Sequence, residues 1–338
     1  MSNVRIAING LGRIGRCVLR AVVEQHYQGI DIVAANGPAE TSVHEHLLRY
    51  DSVHGTFRET LKTDGDTMTI GNHTFPVYHE RDPKNIPWKK HDVDVVLECT
   101  GIFTDAKGAA LHLEAGAKKV LISAPAKDSV PTVVYGVNHK TLKKEDIVAS
   151  IGSCTTNCLA PVAKVLNEAF GIESGFMTTI HSYTGDQNIV DSSHKDLRRA
   201  RAAAMSMVPT STGAAKALGL VLPELAGKLD GTAIRVPTPN VSLVDLCFNA
   251  GKDVTKETIN DALKTAANGA LKGVLAISKE PLVSIDFNHN PHSSIADLTG
   301  TFVTGKRFAR VASWYDNEWG FSCRMLDVSK YLKEAGLL

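Results

Sequence analysis

Val4-Arg5-Ile6-Ala7-Ile8 is a short β-rich run that halts at Asn9-Gly10. From Arg13 to Gln25 the apolar residues Ile14, Val18, Leu19, Val22 and Val23 recur on one face at helical spacing. Three more apolar runs, Asp31 to Ala35, Val93 to Cys99 and Lys119 to Ser123, are each bounded by Gly, Pro or Ser. They are continuous rather than alternating, the pattern of strands buried on both faces of a parallel sheet. Helix-like segments such as Ala109 to Ala115 lie between them. The first half therefore predicts β/α alternation and a Rossmann-type doubly wound sheet.

The pattern changes near Ser150. Met177 to Ile180, Thr232 to Val236, Val241 to Phe248 and Leu282 to Phe287 read as strands of a more antiparallel kind. Ala160 to Phe170 and Lys256 to Ala267 read as amphipathic helices laid across them, and Cys323 to Lys333 is helical again. The expectation is an α/β chain whose second part is an α+β domain with a mostly antiparallel sheet. Its 338 residues fit two domains at about 150 each, with boundaries at 1–153 and 154–316. No repeat or Pro/Ser-rich linker separates them, so close coupling is expected.

Composition narrows the function classes. The chain has 37 Lys+Arg against 36 Asp+Glu, a net charge of +1, which argues against a general nucleic-acid binder. The 43% hydrophobic content supports a large core, while no stretch approaches the ~18 apolar residues of a membrane span. Arg5 and Asn9 interrupt the first ten residues, so no secretory signal is expected. Six cysteines are too sparse for a disulfide scaffold, which points to a reduced, cytoplasmic setting.

Gly10-Leu11-Gly12-Arg13-Ile14-Gly15 is a G-x-G-x-x-G that follows a strand and opens a helix. Gly10 permits the tight turn, Gly12 lets backbone approach a pyrophosphate, and Gly15 allows close helix–strand packing. The helix start offers unpaired N–H groups to the phosphates. Thr100-Gly101 and Ser123-Ala124-Pro125 follow later strands, along the edge where such sheets bind ligands. The acid that usually ends the second strand and holds the ribose is absent: the strand ends Ala35-Asn36-Gly37-Pro38, and the first acid is Glu40. Either Asn36 alone holds the ribose of NAD, or the missing carboxylate admits the 2′-phosphate of NADP.

Cys154 lies at the start of a helical pattern, where the dipole lowers a thiol pKa, and Ser153 and Thr155 can cap the helix or bind an anion. Cys17, Cys99, Cys247 and Cys323 sit inside apolar runs and read as inert core thiols. Cys158 lies one turn after Cys154, but no ligand pair with suitable spacing accompanies them, so no metal site is expected. His181, ending a short strand, is the candidate base. His194 to Arg201 carries four positive residues in eight. That run reads either as a solvated helix face or as an anion site with Ser211-Thr212-Gly213 and Arg235.

The run Ser153-Cys154-Thr155-Thr156-Asn157-Cys158-Leu159-Ala160-Pro161 resembles the active-site signature of phosphorylating glyceraldehyde-3-phosphate dehydrogenases. The resemblance spans essentially the whole chain: Asn9 to Arg16, Tyr50 to Gly55, Glu80 to Pro83, Pro209 to Lys216, Arg235 to Val241 and Trp314 to Glu318. It implies Cys154 as nucleophile and His181 as base. It places the substrate phosphate at Thr184 and Arg235, and inorganic phosphate at Ser153, Thr155, Thr212 and Gly213, with Arg199 near both. Arg13, Ile14, Arg81, Ser123 and Asn317 match cofactor contacts. The resemblance further implies a homotetramer and a C-terminal helix, 317–338, that completes the first domain. It makes 181–209 a loop lining a neighbour's cofactor site.

Two departures bear on the cofactor. NAD-dependent members usually carry Asp where this chain has Gly37, and Leu-Pro where it has Ser192-Ser193. Both resemble NADP-accepting members, and the expectation is use of NAD and also NADP. Erythrose-4-phosphate dehydrogenase shares the motifs, but the intact Ser211-Thr212-Gly213-Ala214-Ala215-Lys216 turn favours a phosphate-using enzyme. The dinucleotide loop argues against a cysteine hydrolase. Retention of Cys154, His181, Thr184 and Arg235 argues against a non-catalytic nucleotide-binding interaction protein.

Overall fold

The computed structural model describes residues 2–338. Contacts divide the chain into two compact units: 1–135 with 139–153 and 321–338, and 136–138 with 154–320. The first is built on β1 (Val4–Asn9), α1 (Arg13–Glu24), β2 (Ile30–Asn36), α2 (Thr41–Arg49) and a meander of β3 (Leu61–Asp64), β4 (Thr67–Ile70) and β5 (His73–Tyr78). It continues with β6 (Val95–Glu98), α3 (Ala106–Glu114), β7 (Lys119–Ile122) and β8 (Val148–Ser150). These strands form one sheet in the order β8-β7-β6-β1-β2-β5-β4-β3.

From β8 to β5 all neighbours run parallel, and the β/α pattern of the sequence is realised there. β1 pairs with β2 on one side and β6 on the other, so the winding reverses at β1. A crevice therefore opens beyond the carboxyl ends of β1 and β6, where ligands of such sheets bind. Ala7, Ala34, Val96, Val120 and Ile122 bury the sheet against Trp88 and Ala109. The antiparallel meander was not visible in the sequence. It lies at a sheet edge, so only alternate residues such as Leu61, Met68, Ile70, Phe75 and Val77 are buried, a weaker signal than a continuous apolar run.

The second unit begins with α4 (Cys154–Phe170) and β9 (Ile172–Ser182), followed by β10 (Val208–Ser211), α5 (Ala214–Val221), β11 (Leu229–Val236) and β12 (Ser242–Ala250). Then come α6 (Lys256–Asn268), β13 (Leu275–Ser278), β14 (Ser294–Thr304) and β15 (Phe308–Tyr315). The sheet order is β10-β11-β9-β12-β15-β14-β13. Only β9–β11 and β13–β14 run parallel; the remaining pairs are antiparallel. α4 lies against β12, β14 and β15 and against α5 and α6. A last helix, α7 (Trp319–Glu334), carries the chain back to the first unit from Phe321 onward. There Ser322 donates to the Ile14 carbonyl at 3.4 Å, and Tyr27 donates to the Cys323 carbonyl at 3.2 Å.

Two expectations are corrected. Leu282 to Phe287 is no strand: Ser284–Phe287 forms a 3-10 turn. Phe287 alone anchors it, stacked on Trp314 with ring centroids 5.3 Å apart, while Val283 and Ile285 face outward. The basic run 194–201 is not a helix face either; it is a succession of bends and turns. The long hairpin β14–β15 gives no continuous apolar run in the sequence.

One ion pair braces the helix that follows the glycine loop. Asp51 accepts from Arg13 at 2.5 Å and from the amides of Val53 and His54 at 2.8 and 2.9 Å. Burial alone raises its pKa, but the Arg13 contact and the two amides outweigh it and bring it down to about 2. A carboxylate depressed in this way stabilises the fold above the unfolded pKa of about 4, and that stability is lost as pH falls through about 2. Asp51→Asn is expected to cost about 2 kcal/mol at neutral pH. Chemical denaturation across pH should show the gap between the two proteins closing between about pH 4 and pH 2.

Candidate active site

The glycine loop is shaped by packing. Gly10 has φ 100°, and a Cβ there would lie 2.8 Å from the backbone of Cys99 and Thr100. A Cβ on Gly15 would lie 2.0 Å from the Gly10 carbonyl, so helix and turn meet only through glycine. Gly12, the residue preceding α1, has open space where its Cβ would be. That space together with the first-turn amides of α1 makes a cradle that fits a pyrophosphate.

Beside it, Asn9, Asn36, Gly37, Glu80, Arg81 and Phe103 line a cavity of about 210 Å³. Gly10, Gly12, Arg16, Pro38, His44 and Thr100 line another of about 390 Å³. The two share Gly10, Pro38, Thr100 and Ile102, and together they suit the adenosine half of a dinucleotide.

A buried polar chain holds this edge in place. Glu98 accepts from Asn9 at 2.6 Å, from His112 at 2.9 Å and from the Thr100 amide at 2.7 Å, and it also bonds the Thr100 hydroxyl. Trp88, a donor only, gives its N–H to His112 Nδ1 at 3.0 Å, which puts the imidazole proton on Nε2, toward Glu98. Asn36 donates to Asn9 Oδ1 at 2.7 Å and to the Glu80 carbonyl at 2.9 Å, and accepts from the Glu80 amide at 2.9 Å. Both ends of its amide are thus hydrogen-bonded, to Asn9 and to Glu80, while the residue also lines the smaller cavity. Arg13 is held by Asp51. Arg81 is exposed at the cavity mouth, Ile14 is half-buried, and the Ser123 amide donates to the Glu98 carbonyl at 3.0 Å.

In the second unit Cys154 is the first residue of α4, and its Sγ lies 3.5 Å from His181 Nε2 near the end of β9. His181 Nδ1 is 2.7 Å from the Ser182 carbonyl, and Arg235 Nη1 is 3.0 Å from that carbonyl and 2.9 Å from Nδ1. With the Nδ1 proton on the carbonyl, Nε2 presents its lone pair toward the sulfur, the arrangement of a general base. β9 and β11 run parallel with His181 opposite Arg235, which is why the sheet brings them together.

Burial, with the Arg235 charge behind it, lowers the His181 pKa to about 3. Burial also pushes the Cys154 thiol up, although Arg235 and Thr155 act in the opposite direction. Burial thus works against the expected thiolate, while Arg235, Thr155 and the backbone amides at the head of α4 favour it. Cys158 is fully buried, with its thiol pushed up to about 12.

One further buried residue borders this pair. Tyr315, 1% exposed, shares its hydroxyl with Thr155 and Thr179 at 2.9 Å each and meets the His181 ring edge-on at 5.9 Å. The Thr155 hydroxyl, expected on inorganic phosphate, is engaged with Tyr315. Asn317 accepts from Ser182 and Ser242 at 2.9 and 2.8 Å. Arg199 reaches Asp186 at 2.7 Å and Thr210 at 2.9 Å, and its charge acts on His181 as well. Thr212 accepts from the Ala214 amide at 3.2 Å where α5 begins, and Gly213 beside it has open space at its Cβ position. The Thr184 amide donates to Gln187 at 3.2 Å, and Ser153 is half-buried next to Cys154.

A dinucleotide-binding sheet in the first unit and a cysteine 3.5 Å from a histidine in the second are features of a nucleotide-dependent oxidoreductase. Residues 4–106 match the glyceraldehyde 3-phosphate dehydrogenase NAD binding domain, and residues 153–317 match the C-terminal domain of the same family. The glyceraldehyde-3-phosphate dehydrogenase of Xanthobacter flavus is 60% identical over 336 residues, covering 99% of this chain and 100% of the relative. That of Cereibacter sphaeroides is 58% identical, over 96% of this chain and 97% of the relative. That of Geobacillus stearothermophilus is 54% identical, over 99% of each. The chain belongs to the glyceraldehyde-3-phosphate dehydrogenase family.

Neutral iodoacetamide should alkylate Cys154 and spare Cys158 in the folded protein. Because the Cys154 thiol is raised, the rate should climb through neutrality and go on climbing beyond the ordinary thiol range near 8.5. Arg235→Met, which removes a charge favouring the thiolate, should move that rise to higher pH. Mass mapping of the label against pH checks all three outcomes.

Proposed function

We propose that this protein is a phosphorylating glyceraldehyde-3-phosphate dehydrogenase, an NAD-dependent oxidoreductase acting on the aldehyde of glyceraldehyde 3-phosphate. The observation that carries this reading is the 3.5 Å approach of Cys154 Sγ to His181 Nε2 at the head of α4. The Cys154 sulfur adds to the aldehyde carbon while its proton passes by way of His181 Nε2 to the carbonyl oxygen, giving a hydroxyl. His181 Nε2 removes the proton of the resulting hydroxyl as the carbon is oxidised, leaving a thioester on Cys154. The dinucleotide, when bound, supplies the hydride acceptor. An oxygen of inorganic phosphate then attacks the thioester carbon, the sulfur leaves, and the product is the acyl phosphate 1,3-bisphosphoglycerate. Amides at the start of α4 favour the oxyanion of both adducts; one such donor contributes about 3 kcal/mol.

Arg235, Thr184 and Arg199 serve the substrate phosphate, and Thr212 and Gly213 with Ser153 serve the inorganic one. The basic cluster then has a purpose, since every ligand is an anion. Gly10, Gly12, Arg13, Ile14, Gly15, Arg81, Ser123 and Asn317 serve NAD. Gly37 and Ser192-Ser193 open the site to NADP as well. A homotetramer is part of the same reading. Ile189, Val190, Leu197, Met205 and Met207 are 70–86% exposed in one segment, which suits burial against a neighbouring copy.

Initial rates with glyceraldehyde 3-phosphate should show phosphate-dependent reduction of NAD, and of NADP at a lower but measurable rate. A preference for NAD above about a thousandfold, some 4 kcal/mol, defeats the dual-cofactor part. Cys154→Ser should lose oxidation by several orders of magnitude while still binding dinucleotide; near-normal turnover refutes the assignment. Light scattering should give a mass near four times the 36.3 kDa chain.

A further inference from the structure

In dinucleotide sheets the acid at the end of the second strand accepts hydrogen bonds from the ribose hydroxyls, and a cation there instead accommodates a 2′-phosphate. Here β2 ends at Asn36 and the next residue is Gly37. Its backbone does not require glycine, since Gly37 is absent from the positive-φ positions. Packing does. A Cβ on Gly37 would lie 2.6 Å from His44 Nε2, 3.0 Å from His44 Cε1 and 3.2 Å from Leu11 Cβ. The imidazole of His44, from the middle of α2, fills the volume into which a side chain at 37 would project.

His44 is 5% exposed, and neither ring nitrogen makes a hydrogen bond of good geometry within the protein, although the Gly37 and Ala39 carbonyls lie near the ring. A buried imidazole in that state is costly unless a ligand completes it. The ring lines the 390 Å³ cavity with Gly10, Gly12, Arg16 and Pro38, so it faces the space beside the glycine loop. Burial holds its pKa below the ordinary imidazole range; the Gly37 and Ala39 carbonyls oppose that, and the Arg16 and His79 charges add to it. A neutral imidazole offers one N–H and one lone pair, which suits a hydroxyl. The N–H suits a phosphate oxygen too, and the ring lacks the charge with which a carboxylate repels phosphate. Asn36 is committed to Asn9 and Glu80, and Glu40 is exposed and lines neither cavity.

We propose that His44 reads the 2′ position of the cofactor's adenosine ribose, and that Gly37 and His44 form a coupled pair in which the ring replaces the missing acid. This rests on the reading that the first unit binds NAD and also accepts NADP. The test measures KM and kcat for each cofactor, with dissociation constants from fluorescence titration, in the full-length protein. His44→Leu keeps the volume and removes both nitrogens. It should raise KM and Kd for NADP about tenfold, with a smaller change for NAD and with kcat unaltered; His44→Asn should recover part of the loss.

Gly37→Asp alone should weaken both cofactors by collision with the ring. In Gly37→Asp/His44→Ala, NAD binding should return while NADP binding stays lost. The proposal is overturned if His44→Leu leaves the ratio of the two cofactors unchanged, or if Gly37→Asp behaves alike with and without the ring. Should the native protein refuse NADP altogether, the dual-cofactor reading fails by itself. His44 is then judged on NAD, whose Kd must rise in His44→Leu and recover in His44→Asn; no change overturns the proposal.

Discussion

The approach of Cys154 to His181 depends on one buried hydroxyl. Tyr315 ends β15 with almost no exposure, and a buried phenol must find partners for its O–H. It finds Thr155 in the first turn of α4 and Thr179 on β9, each at 2.9 Å. Cys154 and His181 lie one and two residues away from those threonines. The helix that begins at Cys154 and the strand that carries His181 are thereby tied at the same atom. Asp316 secures the chain just beyond, accepting from the amides of Glu318 and Trp319 at 2.9 and 2.7 Å and from Asn240 at 2.8 Å. This holds Asn317 against Ser182 and Ser242.

The first unit solves a similar problem with a carboxylate. Glu98 is 1% exposed and fully engaged by donors from three directions, the condition under which a buried acid is tolerated. Through Asn9 and Asn36 the network passes from β6 across β1 to β2, the three strands whose ends shape the crevice. Asn36, read from the sequence as a ligand-facing amide, is one link of that network. Its position was legible, but its partners were not, because they come from residues 27 and 44 positions away.

Legibility followed burial pattern. Val4 to Ile8, Asp31 to Ala35 and Val93 to Cys99 were readable because a parallel strand covered on both faces is a continuous apolar run. The meander β3–β5 and the hairpin β14–β15 were not, since their buried residues alternate with exposed ones or are interrupted by small polar residues such as Ser294 and Ser313, both wholly buried and bonded to each other at 2.7 Å. Leu282 to Phe287 shows the reverse error, an apolar stretch in which Phe287 is buried and Leu282 packs partly against the same core, while Val283 and Ile285 stay exposed. The surroundings of Cys154 were hidden for a related reason. A helix start is a local feature, whereas the desolvation that raises Cys154 is produced by the elements packed around it.

The amino-acid sequence by itself determined the β/α order of the first half, the glycines of the turn and the cysteine at a helix start, because each is a local matter of spacing and backbone sterics. It also carried enough motif to place the chain in its family. Only the tertiary structure decided which polar groups are already spent and which remain to meet a ligand. That distinction separates Asn36, hydrogen-bonded at both ends, from His44. It rests on desolvation and hydrogen bonding between residues far apart along the chain, and no reading of neighbours in sequence contains it.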